Sequence, residues 1–213
     1  RYSPALYIRE ELKENLAQEL EDKTGVKFNL LIGRQANISS FMRHLLVARF
    51  ESSVAAFQSS LGYMIQSSEH MLRWIEKRNK IPVFKKGNLP DVEAFYDSSD
   101  DNMDEIEELF EKYEAKGFFE IDMKYVKDDF VSDVQADIQL LKNLREQWFG
   151  KENTIKSDPK LDSFIQIIQK QMENEPNRKL IVFSEFADTV NYLGEALVKA
   201  GLPVMKYTSA DAT

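Results

Sequence analysis

Apolar residues recur along this chain mostly at the spacing of a helix, and the exceptions are few and short. Behind Ser3 and Pro4, an N-cap and first-turn pair, Ile8, Leu12, Leu16 and Leu20 return every fourth residue and predict a first helix with one apolar stripe. Gly25 and Gly33 bracket Val26 to Ile32, where the apolar residues are too few and too unbroken to separate strand from loop. From Ile38 the helical pattern returns, with Phe41, Leu45, Leu46 and Phe50 on one face. It either runs on through Ser52 and Ser53 or restarts there with one of them as cap. Val54, Phe57, Leu61, Met64, Ile65, Met71, Leu72 and Ile75 then carry the stripe toward Lys80.

Two prolines, a glycine and two lysines make Ile81 to Pro90 a connector, with Pro82 as a helix stop. Asp97 to Asp104 reads as a polar linker, Ile106, Leu109, Phe110 and Tyr113 as a short helix, and Gly117 as its end. Phe130, Val134, Ile138, Leu141 and Trp148 fall on one stripe ending near Gly150, which predicts a long amphipathic helix paired with the earlier long one. Asp158 and Pro159 open another helix, carrying Leu161, Phe164, Ile165, Ile168 and Met172.

The period changes only near the end. Lys179 to Ser184, within KLIVFSEF, is a compact β-branched and aromatic run of the kind that forms a buried parallel strand. Asp188 is a capping candidate, Val190, Leu193 and Leu197 mark a helix closed by Gly201, and Val204 to Tyr207 reads as a second strand. The expected class is mostly α with a C-terminal α/β part, namely antiparallel long helices followed by a partial βαβ unit, divided into 1–150 and 151–213. Two parallel strands cannot cover their own faces and edges, so the rest of this sheet is expected outside the chain, and the Val204 to Tyr207 edge is open to self-association.

Composition sharpens this reading at three points. The 213 residues include no cysteine and no stretch apolar enough to span a bilayer, and the first residues lack a signal peptide's apolar core. These features predict an intracellular protein without a membrane partner, and Arg1 in place of an initiator methionine suggests an internal piece. The net charge of -8 is concentrated between Asp91 and Asp133, where sixteen acidic residues face four lysines, so the remainder is +4. Only that remainder is suited to approach phosphates; the acidic block reads first as a solvated helix face.

Candidate chemistry is sparse. The polar residues at the strand ends, Ser184, Thr208 and Ser209, suit nucleic-acid phosphate oxygens, because hydroxyls and exposed amides at a helix start meet the positive end of its dipole. The competing reading of Ser184 is a helix cap. Glu185 would oppose a phosphate. His44 and His70 lie far apart with no cysteine to help, which argues against a metal site. Serine pairs beginning at Ser39, Ser52, Ser59 and Ser67 read as small residues at helix contacts rather than as a phosphate-contact array.

Taken together, DPKLDSF, KLIVFSEF, EALVKAG and VMKYTS resemble the entry to the second RecA-like domain of superfamily-two helicases, with the serine and acidic residue after the strand similar to motif IV. LLVARFESSVAAFQSSL, Leu45 to Leu61, resembles the segment leaving the first motor domain of Swi/Snf-type ATPases, particularly the RapA-like group, which carries helical protrusions between these landmarks. The resemblance covers about a third of the chain. It implies a parent that translocates on nucleic acid, duplex DNA foremost, using ATP and Mg2+ and further RecA-like lobes in cis. Arg43 and Arg49, on the helix that carries the first landmark, read first as a solvated helix face; the resemblance offers contact with nucleotide or nucleic acid in the parent as the alternative.

The chain itself has no GKT or GKS phosphate loop, no DExH box and no Q-x-x-x-x-R arginine finger, so it holds no catalytic residue for ATP hydrolysis and is expected to be inactive alone. The rival reading is a self-contained helical interaction module whose acidic stripe docks a basic partner.

Overall fold

The computed structural model describes residues 4–25, 27–84 and 118–208. The chain is mostly helical, as the apolar periodicity predicts, with a small sheet part. The helices are α1 (Lys13–Thr24), α2 (Phe28–Ser52), α3 (Val54–Arg78), α4 (Asp129–Phe149), α5 (Pro159–Asn174) and α6 (Ala187–Lys199). A two-stranded antiparallel sheet pairs β1 (Lys80–Phe84) with β2 (Phe118–Asp122).

The chain divides into two compact units, one of Arg1–His44 with Tyr63–Lys142 and one of Leu45–Gly62 with Asn143–Thr213. The division passes through α2, α3 and α4.

In the first unit the predicted lead helix begins later than its stripe. Pro4–Tyr7 and Glu10–Leu12 are short 3-10 turns, and regular helix starts at Lys13. Ile8 keeps its place in the core by a different route, an isolated bridge to Val126, while Leu16 and Leu20 are buried from the helix itself. Gly25 closes α1 in the left-handed conformation, with φ of 67°, where a side chain would be strained. Helix resumes at Phe28, which resolves most of the segment between Gly25 and Gly33 as helix.

Within the connector expected over Ile81 to Pro90, residues 81–84 instead belong to β1, and 85–90 lie outside the described residues. Asn79, at φ of 54°, turns the chain out of α3, and Lys80, Ile81, Pro82, Val83 and Phe84 pair with Asp122, Ile121, Glu120, Phe119 and Phe118. Ile81, Val83, Phe119 and Ile121 are all buried, so alternation of apolar side chains fixes the register. A two-stranded sheet always has an outer edge, so Pro82 can lack its amide hydrogen without breaking the pairing. The expected linker at Asp97 to Asp104, the helix from Ile106 to Tyr113 and its stop at Gly117 lie outside the described residues.

Of the stripe predicted on α4, Phe130, Val134 and Ile138 are buried in one core with Ile65 and Ile75 of α3, Phe28 and the sheet, Leu141 packs partly buried against it, and Trp148 is instead 49% exposed. Contacts run in opposite senses along α3 and α4, because Glu69 pairs with Lys142 while the end of α3 meets the strand that precedes α4. There Glu120 accepts from Trp74 Nε1 at 3.0 Å, Arg78 Nε at 2.9 Å and Lys80 Nζ at 3.2 Å. Burial pushes the Glu120 carboxyl up, but the Arg78 and Lys80 bonds outweigh it and hold the group below its ordinary range.

In the second unit the cap at Asp158 is as predicted, its Oδ1 accepting from Leu161 N at 3.0 Å with Pro159 following. The two expected strands are not formed. Lys179 to Ser184 and Val204 to Tyr207 flank α6 without regular structure, since neither finds a ladder partner among the described residues. Leu202 N donates to Leu197 O at 3.0 Å and Gly201 turns at φ of 78°, so the helix ends where the sequence places it. Among the described residues no helix is long and apolar enough to cross a membrane.

Candidate functional site

The second unit contains a polar joint built from the end of α2, the start of α3 and the start of α6. Ser53 interrupts α2 and α3, yet the helical hydrogen bonds continue across it, from Ser53 N to Arg49 O and from Phe57 N to Ser53 O, both 3.1 Å. Ser53 Oγ also accepts from Ala56 N at 3.0 Å, which makes it the cap of α3. Because these two bonds keep the helical phase across the break, Arg49, Ser53, Ala56 and Ser60 share one face at spacings of four, seven and eleven. The last three are small and buried, which leaves a shallow track for the long Arg49 side chain.

Arg49 fills that track. Its Nε donates to Ala56 O at 3.2 Å and to Ser60 Oγ, and its terminal nitrogen pairs with Asp188. The guanidinium also lies 5.0 Å from the centre of the Phe186 ring, within cation–π range. The Arg49 side chain is 16% exposed and that of Asp188 32%, so this ion pair is better shielded than a surface bridge. The second oxygen of Asp188 accepts from Ser59 Oγ at 3.2 Å.

Beside the ion pair, Thr189 Oγ1 lies 2.8 Å from both Ser52 Oγ and Ser53 Oγ. Lys160, in the first turn of α5, donates to the Glu51 carbonyl and, at 3.1 Å, to the Ser52 carbonyl, so it covers acceptors that the end of α2 leaves open. Asp158 ties α5 to α6, since its Oδ2 accepts from Tyr192 OH at 3.1 Å. Burial, the nearby Asp158 charge and this bond together push the Tyr192 phenol up to about 12. Phe50, Phe57 and Trp148 close the other side with edge-to-face ring contacts at 5.0, 5.2 and 5.8 Å.

Ser184 sits at the margin of this joint. Its Oγ accepts from Phe186 N at 3.2 Å and lies 3.4 Å from Ser52 Oγ, so the hydroxyl turns the chain into α6. Phe186 is the N-cap position and contributes no side-chain bond, and Asp188, expected as a cap, is turned to Arg49 and Ser59 instead. Thr208 is half-buried, and Ser209 lies outside the described residues. Glu185 is exposed next to Ser184.

Arg43 is exposed on α2, whereas Arg49 is neither solvated nor open to a ligand. Ser53, Ser60 and Ser68 are buried, which places these serines in packing, as the spacing suggested. The pairing of Arg49 with Asp188 was not legible in the sequence; its only signal is the run of small residues at helical spacing behind the arginine. Chemically the joint is a saturated network, with its charges paired and its hydroxyls shared. Among the described residues no group of three or more His, Asp or Glu side chains is placed to hold a metal ion.

Comparison with protein-family models, with curated proteins and with solved structures finds no match to this chain.

Proposed function

We propose that this chain is the part of a Swi/Snf-type, nucleic-acid-dependent ATPase that joins its two motor lobes and opens the second. One observation supports the reading above others. The two stretches that resemble that family, Leu45 to Leu61 and Asp158 onward, are about a hundred residues apart in sequence yet lie in one compact unit, tied by Arg49, Asp188 and the shared hydroxyls of Ser52, Ser53 and Thr189. In this reading the joint is mechanical: it fixes the helix leaving the first lobe to the first helix of the second.

Ser184, Thr208 and Ser209 are assigned to backbone contact with duplex DNA; Ser184 precedes the amino end of α6, where the helix dipole favours a phosphate. The acidic stretch from Asp91 to Asp133 stays away from the polyanion. ATP and Mg2+ belong to the parent, and no residue of this chain is given a role in hydrolysis.

The test is ATP turnover by the natural protein that holds this chain, with and without duplex DNA. Stimulation by DNA is expected, with no turnover by the chain alone. Absence of stimulation by any nucleic acid, together with salt-sensitive capture of a basic protein by residues 91–133, would replace this reading with the acidic interaction module.

A further inference from the structure

The sequence across the break between α2 and α3 permits a single helix. Residues 49–57, RFESSVAAF, contain neither glycine nor proline, and Arg49, Glu51, Ala55 and Ala56 are good helix formers. Phe50 and Phe57 stand seven positions apart, on one face of a continuous helix, and their ring centres already lie 5.0 Å apart. The break at Ser53 therefore has a cause beyond local propensity, and a side chain entering the backbone ladder is one such cause.

Two side chains enter the ladder here. In an unbroken helix the Ser52 carbonyl would accept from Ala56 N. Instead it accepts from Lys160 Nζ at 3.1 Å, Lys160 takes the Glu51 carbonyl as well, and Ala56 N donates to Ser53 Oγ at 3.0 Å. Thr189, buried at 3% exposure, holds the Ser53 hydroxyl from 2.8 Å away. One inserted group thus belongs to the first turn of α5, and the other is fixed by the first turn of α6.

We propose that residues 50–57 are a two-state junction, broken while the first turns of α5 and α6 are seated on it and one continuous helix when they leave. The Ser52 carbonyl and the Ala56 amide are satisfied in either state, by side chains in the broken form and by each other in the fused form, so neither form strands a backbone group. Lys160 is exposed, so its bonds to the two carbonyls face water and cost little to release. The junction converts departure of α5 and α6 into fusion of α2 with α3, and by linkage the fused helix disfavours their return by the same factor. All its parts lie in one compact unit, and it is tested without nucleic acid or ATP, so its outcome is separate from that of the ATPase reading.

Amide hydrogen exchange in the full chain reads the state of the junction. Val54, Ala55 and Ala56 are the first-turn amides of α3, which have no partner within that helix, so they are expected to exchange faster than the amides on either side. Lys160→Ala combined with Ser53→Ala removes both inserted groups and lets the ladder close, slowing exchange at these three amides by roughly fivefold. A tie that only held the parts together would act the opposite way, because its loss loosens the backbone around it. Val54→Pro supplies a second, independent check. Proline suits the first position of α3 but is excluded from the interior of a fused helix, so it is expected to leave the urea midpoint of the otherwise unaltered chain in place and to abolish the slowing in the double variant. Exchange at residues 54–56 that is unchanged or faster in the double variant overturns the proposal. So does a Val54→Pro chain destabilised as strongly as by proline in a helix interior.

Discussion

Replacing Asp158 with alanine removes two acceptors at once. Asp158 is 7% exposed; one oxygen takes the Leu161 amide at 3.0 Å and the other takes the Tyr192 hydroxyl at 3.1 Å. Loss of a side-chain cap costs about 1 kcal/mol. The half-buried Tyr192 hydroxyl, left without its acceptor, costs about another 1 kcal/mol. D158A is therefore expected to destabilise the second unit by about 2 kcal/mol.

The two tryptophans fall in different units, Trp74 in the first and Trp148 in the second, so W74F leaves Trp148 to report on the second alone. Urea unfolding followed by Trp148 emission in that background measures the change. In a Y192F background the hydroxyl is absent, so D158A should cost only the cap, about 1 kcal/mol. A loss below about 0.5 kcal/mol in both backgrounds would refute the claim that Asp158 joins α5 to α6.

Two pH effects follow from the same geometry. The Tyr192 phenol is held neutral to about 12 against an ordinary value of 10, so the folded chain keeps its proton where the unfolded chain loses it; the resulting stability is complete below pH 10 and disappears as pH rises through about 12, which a Y192F difference titration in the ultraviolet reads directly. Glu120 is depressed, so its contribution is present above the ordinary carboxylate range and is lost as pH falls below it; E120Q should destabilise the first unit at neutral pH and flatten that acid dependence, measured by Trp74 emission in a W148F background.

The parts of the fold legible in sequence are those set by local chemistry. Asp158 with Pro159, Gly201 and the stripe through Phe130, Val134 and Ile138 specify helix boundaries or faces within a few residues, and each is found as expected. The sheet was hidden because its partners are not local. Ile81 and Val83 alternate with Pro82, and Phe119 and Ile121 with Glu120, but Pro82 also reads as a helix stop, and nothing within β1 identifies the strand some forty residues later.

The strand expected at Lys179 has the right composition and still lacks a ladder, because strand formation needs a neighbour that composition does not supply. The joint is the clearest case of this limit. Arg49 and Asp188 are separated by 139 positions, and the small residues that let them meet look like ordinary helix packing.

The central structural claim, that the helix segment after Leu45 and the segment after Asp158 form one locked unit, rests on that ion pair. A double-mutant cycle with Arg49→Met and Asp188→Asn, read by Trp148 emission during urea unfolding, isolates it. For a shielded, charge-assisted pair the account predicts a coupling of about 1.5 to 3 kcal/mol. Costs that add to within about 0.5 kcal/mol would contradict it, because residues that do not meet in the folded chain do not couple.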